Sequence, residues 1–213
     1  LLKAEDYVYQ IKRLADPRVN CPVFSSVVGK YIAGMQSYAR KLADRLRAVR
    51  QKRKEKQGIF YNREQNEKNN PIILDYAAIP CEGLRVVDDT TYRITLKGKY
   101  PQFRYWLAMP FFSPIPEEAI RFYRQGETIK RNITLDRYPV GTGAYRMSQF
   151  DPNWRIVLVE NEHFHSETYP AGGASGDREK GLLQDAGKQL PLIPKAVYTM
   201  EREFTPRWRK FLQ

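Results

Sequence analysis

What the sequence lacks narrows its chemistry first. No apolar run approaches the ~20 residues that a membrane-crossing helix needs. No basic segment followed by an apolar core opens the chain as a leader peptide would. There is no Gly-x-Ser-x-Gly elbow, no His-Glu-x-x-His pair and no phosphate loop ending in Gly-Lys-Ser/Thr, so no hydrolase, metalloprotease or nucleotide motif is present. Cysteine and histidine are scarce, with two of each. His163 and His165 would share a face on a strand, with Glu160, Glu162 and Glu167 nearby, but no third ligand stands out elsewhere. Cys21 and Cys81 are too few for a structural metal site. Gly141-Thr142-Gly143 is a lone G-x-G without the third glycine and helix of a dinucleotide site, and it reads as a turn whose backbone needs glycine. The expectation is a non-enzyme with no cofactor and no metal.

Acidic residues are also in deficit, 24 against 36 lysines and arginines, for a net charge of +12. The excess is concentrated. Between Gln36 and Gln57 stand nine basic residues (Arg40, Lys41, Arg45, Arg47, Arg50, Lys52, Arg53, Lys54, Lys56) against Asp44 and Glu55. Tyr38, Leu42, Leu46 and Val49 recur at helical steps, so the segment reads as a helix with a narrow apolar stripe. One reading is contact with nucleic acid or an anionic membrane, through counterion release. The other is a solvated helix running into a charged loop, with the polar stretch Asn62 to Asn70 as that loop. Aromatic residues do not alternate with the basic ones as a base-stacking surface requires. No nucleic-acid partner is expected.

What is present is enough for a core: 213 residues, 42% hydrophobic and 13% aromatic, sufficient for one large domain or two small ones. Ala4, Tyr7, Val8, Ile11 and Leu14 form one helical face. Glu5 and Asp6 open that helix, Lys12 and Arg13 close it, and Asp16-Pro17 stops it. Leu84 to Val87 and the alternating Tyr92, Ile94 and Leu96 read as a hairpin turned by Asp88-Asp89. Phe103 to Met109 reads as a single helical turn. Pro116, with Glu117 and Glu118 behind it, starts a helix that turns Ile120 and Tyr123 inward. Tyr145 to Phe150 and Arg155 to Glu160 bracket Asp151-Pro152-Asn153 as a second hairpin. Ala171 to Gln189, with five glycines among charged residues, reads as a flexible excursion. Ala196 to Met200 reads as a strand, and Thr205-Pro206 as the start of a helix. No internal repeat is evident.

Four blocks in order carry a family resemblance. They are Ala4-Glu5-Asp6-Tyr7-Val8 through Asp16-Pro17, then Gly83 to Leu96 with Tyr100-Pro101-Gln102-Phe103, then Ser113-Pro114-Ile115-Pro116, and finally Pro139-Val140-Gly141-Thr142-Gly143-Ala144-Tyr145 with Asn153 to Asn161. Together they resemble the extracellular solute-binding proteins of the peptide/nickel type (family 5), the receptors of peptide-importing ABC transporters. The resemblance covers roughly positions 3 to 165. Family members are far longer, carry a leader and begin with a strand-rich segment, so the chain is expected to be an excerpt of a larger precursor.

The resemblance implies a mixed α/β (α+β) fold: one lobe plus the small subdomain of a two-lobed, type II periplasmic-binding-protein fold. On that pattern residues 1–195 form part of lobe I, with the small subdomain at about 20–138, and 196–213 cross into an absent second lobe. It further implies a monomeric, exported receptor at the periplasmic or extracellular face of the membrane. Such a receptor takes an oligopeptide or similar small solute in an interlobe cleft and delivers it to permease subunits. Carried over residue by residue, the ligand-facing positions are Phe24 as a pocket wall, Ser26 as a polar contact, Phe112 and Ser113 on the subdomain's face, and Gly141, Thr142 and Gly143 where a ligand backbone approaches. An oxidising compartment would permit a disulfide between Cys21 and Cys81, two unrelated thiols being the other reading. The rival function is a basic nucleic-acid-binding protein using the helix at 36–57.

Overall fold

The structure is a computed structural model that describes residues 2–201, 208–209 and 211–212. It divides into two units, Leu1–Leu135 and Asp136–Gln213. The start of the helix expected at Thr205-Pro206 lies outside the described residues.

The first unit opens with α1 (Ala4–Arg13). The Lys3 backbone N–H donates to the Asp6 carboxylate at 2.8 Å and so anchors the first turn. Ala4, Val8, Ile11 and Leu14 are buried as the periodicity requires, and Tyr7 stacks on Tyr92 at 5.2 Å. A π-helical turn, Phe24–Val28, runs directly into the short α2 (Gly29–Tyr31). Next comes α3 (Met35–Gln57), about 35 Å long at 1.5 Å per residue. Tyr38, Leu42 and Leu46 are buried along it, and Val49 packs partly against the core.

After a 3-10 turn at Gly58–Phe60 the chain folds back as α4 (Arg63–Asn69). The polar stretch expected to be a charged loop is therefore helical. Its N-terminus is capped by Asn62, whose side-chain oxygen accepts from the Gln65 N–H at 2.9 Å. Its flank is held by α3: Arg50 makes a two-pronged ion pair with Glu67 at 2.7 and 3.0 Å, and Arg53 donates to Asn66 and to the Asn70 carbonyl.

Ile72, Leu74, Tyr76 and Ile79 then enter the core. β1 (Leu84–Val86) and β2 (Tyr92–Ile94) pair antiparallel, Leu84 opposite Ile94 and Val86 opposite Tyr92. The Asp88 carboxylate accepts from both the N–H and the hydroxyl of Thr90 and closes the turn between them. The unit continues with α5 (Phe103–Trp106), the single turn expected, then a 3-10 turn at Pro110–Phe112, α6 (Glu117–Tyr123) with Pro116 as its N-cap, and α7 (Gly126–Lys130).

In the second unit β3 (Tyr145–Asp151), β4 (Arg155–Glu160) and β5 (Lys195–Thr199) form an antiparallel sheet with β4 central. Asn153, at φ 63°, supplies the left-handed step between β3 and β4. The register shifts between Met147 and Gln149, where the Ser148 hydroxyl donates to the Val157 carbonyl at 3.2 Å. The glycine-rich excursion lies between β4 and β5 as turns and bends, crossed by one bridge between Thr168 and Gln189. The division between the two units falls at Leu135/Asp136 in sequence, and β5 runs through position 195.

Candidate functional site

The segment after α1 is anchored by a buried polar cluster. The Asp16 side chain is fully buried and accepts from the Arg18 guanidinium at 2.6 Å and from the Tyr76 hydroxyl at 2.7 Å. Arg18 also donates to the Ile72 carbonyl at 2.5 Å, and the Tyr38 hydroxyl donates to the Tyr76 carbonyl at 2.9 Å. Burial pushes the Asp16 carboxyl up, but the hydrogen bonds from Arg18 and Tyr76 outweigh it, so the group lies below the usual carboxylate value. Burial raises both Tyr76 and Tyr38. The cluster ties the end of α1 to α3 and to the 70s segment, and fixes where the loop toward Phe24 begins.

That loop turns at Asn20, at φ 50°, and enters the π-helical turn. There the Val28 N–H reaches back to the Val23 carbonyl at 3.3 Å. Single π turns are often found at functional sites. Phe24 is half-buried, with its ring over Gly29, where an added Cβ would lie 3.0 Å from the ring edge. Ser26 is exposed on the same turn.

A hollow of about 460 Å³ opens beside the β1–β2 hairpin. Tyr92, Ile94, Leu96, Tyr100, Phe103 and Leu107 line it, with Arg104 as its one charged lining group. Tyr100 is locked in place by stacking on Tyr31 at 4.1 Å and by accepting from the Trp106 indole N–H at 2.9 Å. The alternation of Tyr92, Ile94 and Leu96 predicts a half-buried strand face, and in the structure the open side of that face forms a cavity wall. The alternation was the available signal; the aromatic turn that completes the wall becomes adjacent only in the fold.

Phe112 departs from its expected place on a ligand-facing surface, and the cysteines follow the second of their two readings. Phe112 is 2% exposed and packs edge-on against Phe103 at 6.3 Å, so it is core and offers no surface to a ligand; its neighbour Ser113 is exposed. Cys21 and Cys81 are free thiols. Cys81 is buried with its sulfur toward the Ala33 carbonyl at 3.8 Å, while Cys21 is half-buried.

Gly141, Thr142 and Gly143 lie in the second unit and are exposed. Neither glycine has a left-handed φ, and an added Cβ on either would meet nothing within 4 Å. The turn therefore does not need glycine for its backbone angles, contrary to the sequence reading. The strap is held instead by Asn161, whose side-chain amide donates to the Gly143 carbonyl at 2.8 Å and whose N–H donates to the Ala144 carbonyl at 2.9 Å. Four of the expected contacts thus belong to the first unit and three to the second. Among the described residues no group of three His, Cys, Asp or Glu side chains is placed to hold a metal. His165 faces Glu167 at 3.7 Å on an exposed surface.

The basic helix is partly neutralised. Arg50 pairs with Glu67 and Arg47 with Asp44, and Arg45 donates to the Ala78 carbonyl at 3.5 Å. Lys52, Lys54 and Lys56 remain exposed.

Comparison with known proteins places these features in a family. The periplasmic oligopeptide-binding protein OppA of Salmonella typhimurium is 26% identical over 161 residues, covering 76% of this chain and 22% of that protein. Its Escherichia coli counterpart is 28% identical over 155 residues, covering 73% and 21%. The chain spans about a fifth of the length of these relatives. In fold it matches 30% of a periplasmic oligopeptide-binding protein from Borrelia burgdorferi, over 99% of its own length, with a TM-score of 0.60 at 14% identity. Haemophilus influenzae OppA, solved as a complex with RPPGFSPFR, matches over the whole chain with a TM-score of 0.57, also at 14% identity. The mixed α/β fold is that of part of a type II periplasmic binding protein. The model of the bacterial extracellular solute-binding proteins, family 5 (Middle), matches residues 2–200, nearly the entire sequence, and the chain belongs to that family.

Proposed function

We propose that the chain is part of the substrate-binding receptor of an ABC importer, taking oligopeptides into a cleft between two lobes and delivering them to the permease subunits. The observation that carries this reading is the alignment of most of the chain with two proteins named as oligopeptide-binding. On this reading residues 1–195 contribute to one lobe, with its small subdomain at about 20–138, and 196–213 lead toward the other. The receptor works as an exported monomer, without a cofactor and without catalysis.

The physical chemistry of the first unit fits this role. A peptide receptor of broad taste recognises the ligand main chain by hydrogen bonding and leaves roomy apolar pockets for side chains. The hollow beside β2 is aromatic, rigidly built and bears one charge, which suits a variable side chain. Phe24, Ser26 and Ser113 are proposed as further contacts, with the exposed strap at Gly141, Thr142 and Gly143 meeting the ligand backbone. Affinity requires closure of both lobes, a hinge motion known for periplasmic binding proteins.

Calorimetry tests the reading. The full-length receptor should bind RPPGFSPFR or members of a mixed oligopeptide library, and Tyr100→Ala should weaken that binding. This chain alone should bind weakly, because a one-sided surface leaves the ligand hydrated. Micromolar or tighter binding by the chain alone would overturn the two-lobed cleft, and a full-length receptor indifferent to peptides would overturn the ligand class.

A further inference from the structure

The turn joining α3 to α4 carries two adjacent apolar side chains with nothing packed on them. Ile59 is 94% exposed and Phe60 85%. Every residue from 54 to 60 is exposed, and a Cβ added at Gly58 would meet nothing within 4 Å. A mobile loop would carry such residues as noise, but this apex stands on a pinned stem. The Arg50–Glu67 ion pair and the Arg53 bonds to Asn66 and Asn70 fasten α4 against α3 just below it. Exposed Lys52, Lys54 and Lys56 occupy the last turns of α3 that lead into the apolar tip, and exposed Arg63 and Lys68 lie on α4 after it. The nearby acids outside the ion pair are Glu55, which accepts from Gln51, and Glu64.

We propose that this apex docks on an anionic lipid surface, with Ile59 and Phe60 entering the headgroup–acyl boundary and the lysines meeting lipid phosphates. A small convex tip suits a fluid interface. A protein partner would need on the order of 800 Å² from this side, more than two side chains and their neighbours supply. Nucleic acid would use the lysines but has no use for Ile59, which cannot stack on a base. An amphipathic edge with aromatic and aliphatic groups at the centre and lysines at the rim is the arrangement that seats at a membrane interface, the long lysine stems letting the ammonium groups stay in water. The proposal is independent of peptide capture, since none of these residues lines the aromatic hollow.

Vesicle flotation of the full-length receptor that contains this chain tests it. At low salt the receptor should float with vesicles of phosphatidylcholine containing phosphatidylglycerol and remain behind with phosphatidylcholine alone. Changing Lys52, Lys54 and Lys56 together to Gln should weaken partition roughly a hundredfold, at about 1 kcal/mol per surface cation. The Ile59→Ser, Phe60→Ser pair should weaken it roughly tenfold or more. Circular dichroism melts should be unchanged in both variants, because all five residues are exposed. A Phe60→Trp variant should show fluorescence quenching by brominated lipid beyond that of the native tryptophans. Absence of flotation by the native receptor would overturn the proposal, as would flotation indifferent to the Ile59→Ser, Phe60→Ser pair or equal flotation with neutral vesicles. Binding of RNA or DNA without vesicle binding, abolished by the lysine changes alone, would assign the apex to nucleic acid instead.

Discussion

The Tyr76 hydroxyl donates to the Asp16 carboxylate at 2.7 Å across a separation of sixty residues, inside the core of the first unit. Arg18, its side chain 19% exposed, donates to both oxygens of the fully buried carboxylate. Breaking such a cluster from one side costs more than the net worth of its bonds, because the remaining partner stays buried and unmatched. Tyr76→Phe should cost about 2 kcal/mol and Asp16→Ala about 3 kcal/mol, measured by urea denaturation. Equal, sub-kilocalorie effects would show that water reaches the cluster.

The same group predicts a pH dependence. In the fold Asp16 lies below its ordinary value of 3.8, since the hydrogen bonds from Arg18 and Tyr76 outweigh burial. Its stabilisation is therefore complete above the ordinary value and is lost as pH falls through the lower folded value. Below about pH 4 the native chain should lose stability more steeply than Asp16→Asn, which has no such proton to bind. Parallel acid-unfolding curves would contradict the assignment.

Glycines separate the positions where backbone room matters from those where it does not. Gly141→Ala and Gly143→Ala should shift stability by less than about 0.5 kcal/mol, as open surface positions usually do. At Gly83 a Cβ would lie 2.4 Å from the Ala33 carbonyl oxygen and 2.8 Å from its nitrogen, and the Gly83 N–H donates to that same oxygen at 2.9 Å. Gly83→Ala should therefore destabilise by about 2 kcal/mol or more, since backbone must move to admit it. Thermal melts of the three variants would rank them; a destabilised Gly141→Ala would restore the need for glycine in that turn.

Elements whose cause lies within a few residues were legible in the sequence. The stripe of Tyr38, Leu42 and Leu46 defined α3, and Asp88 and Asn153 marked both hairpin turns. α4 was not legible, because it has no apolar stripe: its stability comes from Arg50 and Arg53, up to seventeen residues back on α3. The handedness of Gly141 and Gly143 was not legible either, since glycine permits positive φ without requiring it. The expected place of Phe112 follows from the family resemblance, whereas its burial rests on packing against Phe103, a tertiary contact that the local sequence does not carry. The aromatic hollow combines strand β2 with the turn at Tyr100, so its existence depends on a tertiary contact that no local pattern carries.

The basic helix should divide into two kinds of cation. Lys52→Gln with Lys54→Gln should leave the melting temperature within a few degrees, as exposed charges usually do. Arg50→Gln removes a two-pronged pair to Glu67 whose side chains are 27% and 21% exposed. It should cost about 1 kcal/mol after allowance for solvent screening. Hydrogen exchange across α4 should rise in Arg50→Gln and stay unchanged in the lysine variant. Equal protection in both would mean that α4 stands without its arginine clasp.

The two thiols should differ in reactivity. Cys81 is 7% exposed, and burial raises its thiol above the ordinary value, so little reactive thiolate forms near neutral pH. Neighbouring N–H groups and Lys12 pull the other way without overcoming burial. Cys21, at the start of the turn toward Phe24, is half-buried against the core and less enclosed than Cys81. Ellman's reagent at pH 8 should therefore modify one thiol in the native chain and two in urea, and Cys21→Ser should abolish the native reaction. Cys81→Ser should leave the native reaction intact while costing stability, because a hydroxyl would replace a thiol buried in the apolar core cluster. If neither thiol reacts even in urea until a reductant is added, the two sulfurs are joined, and the free thiols of this structure would have to give way to a bridge between Cys21 and Cys81.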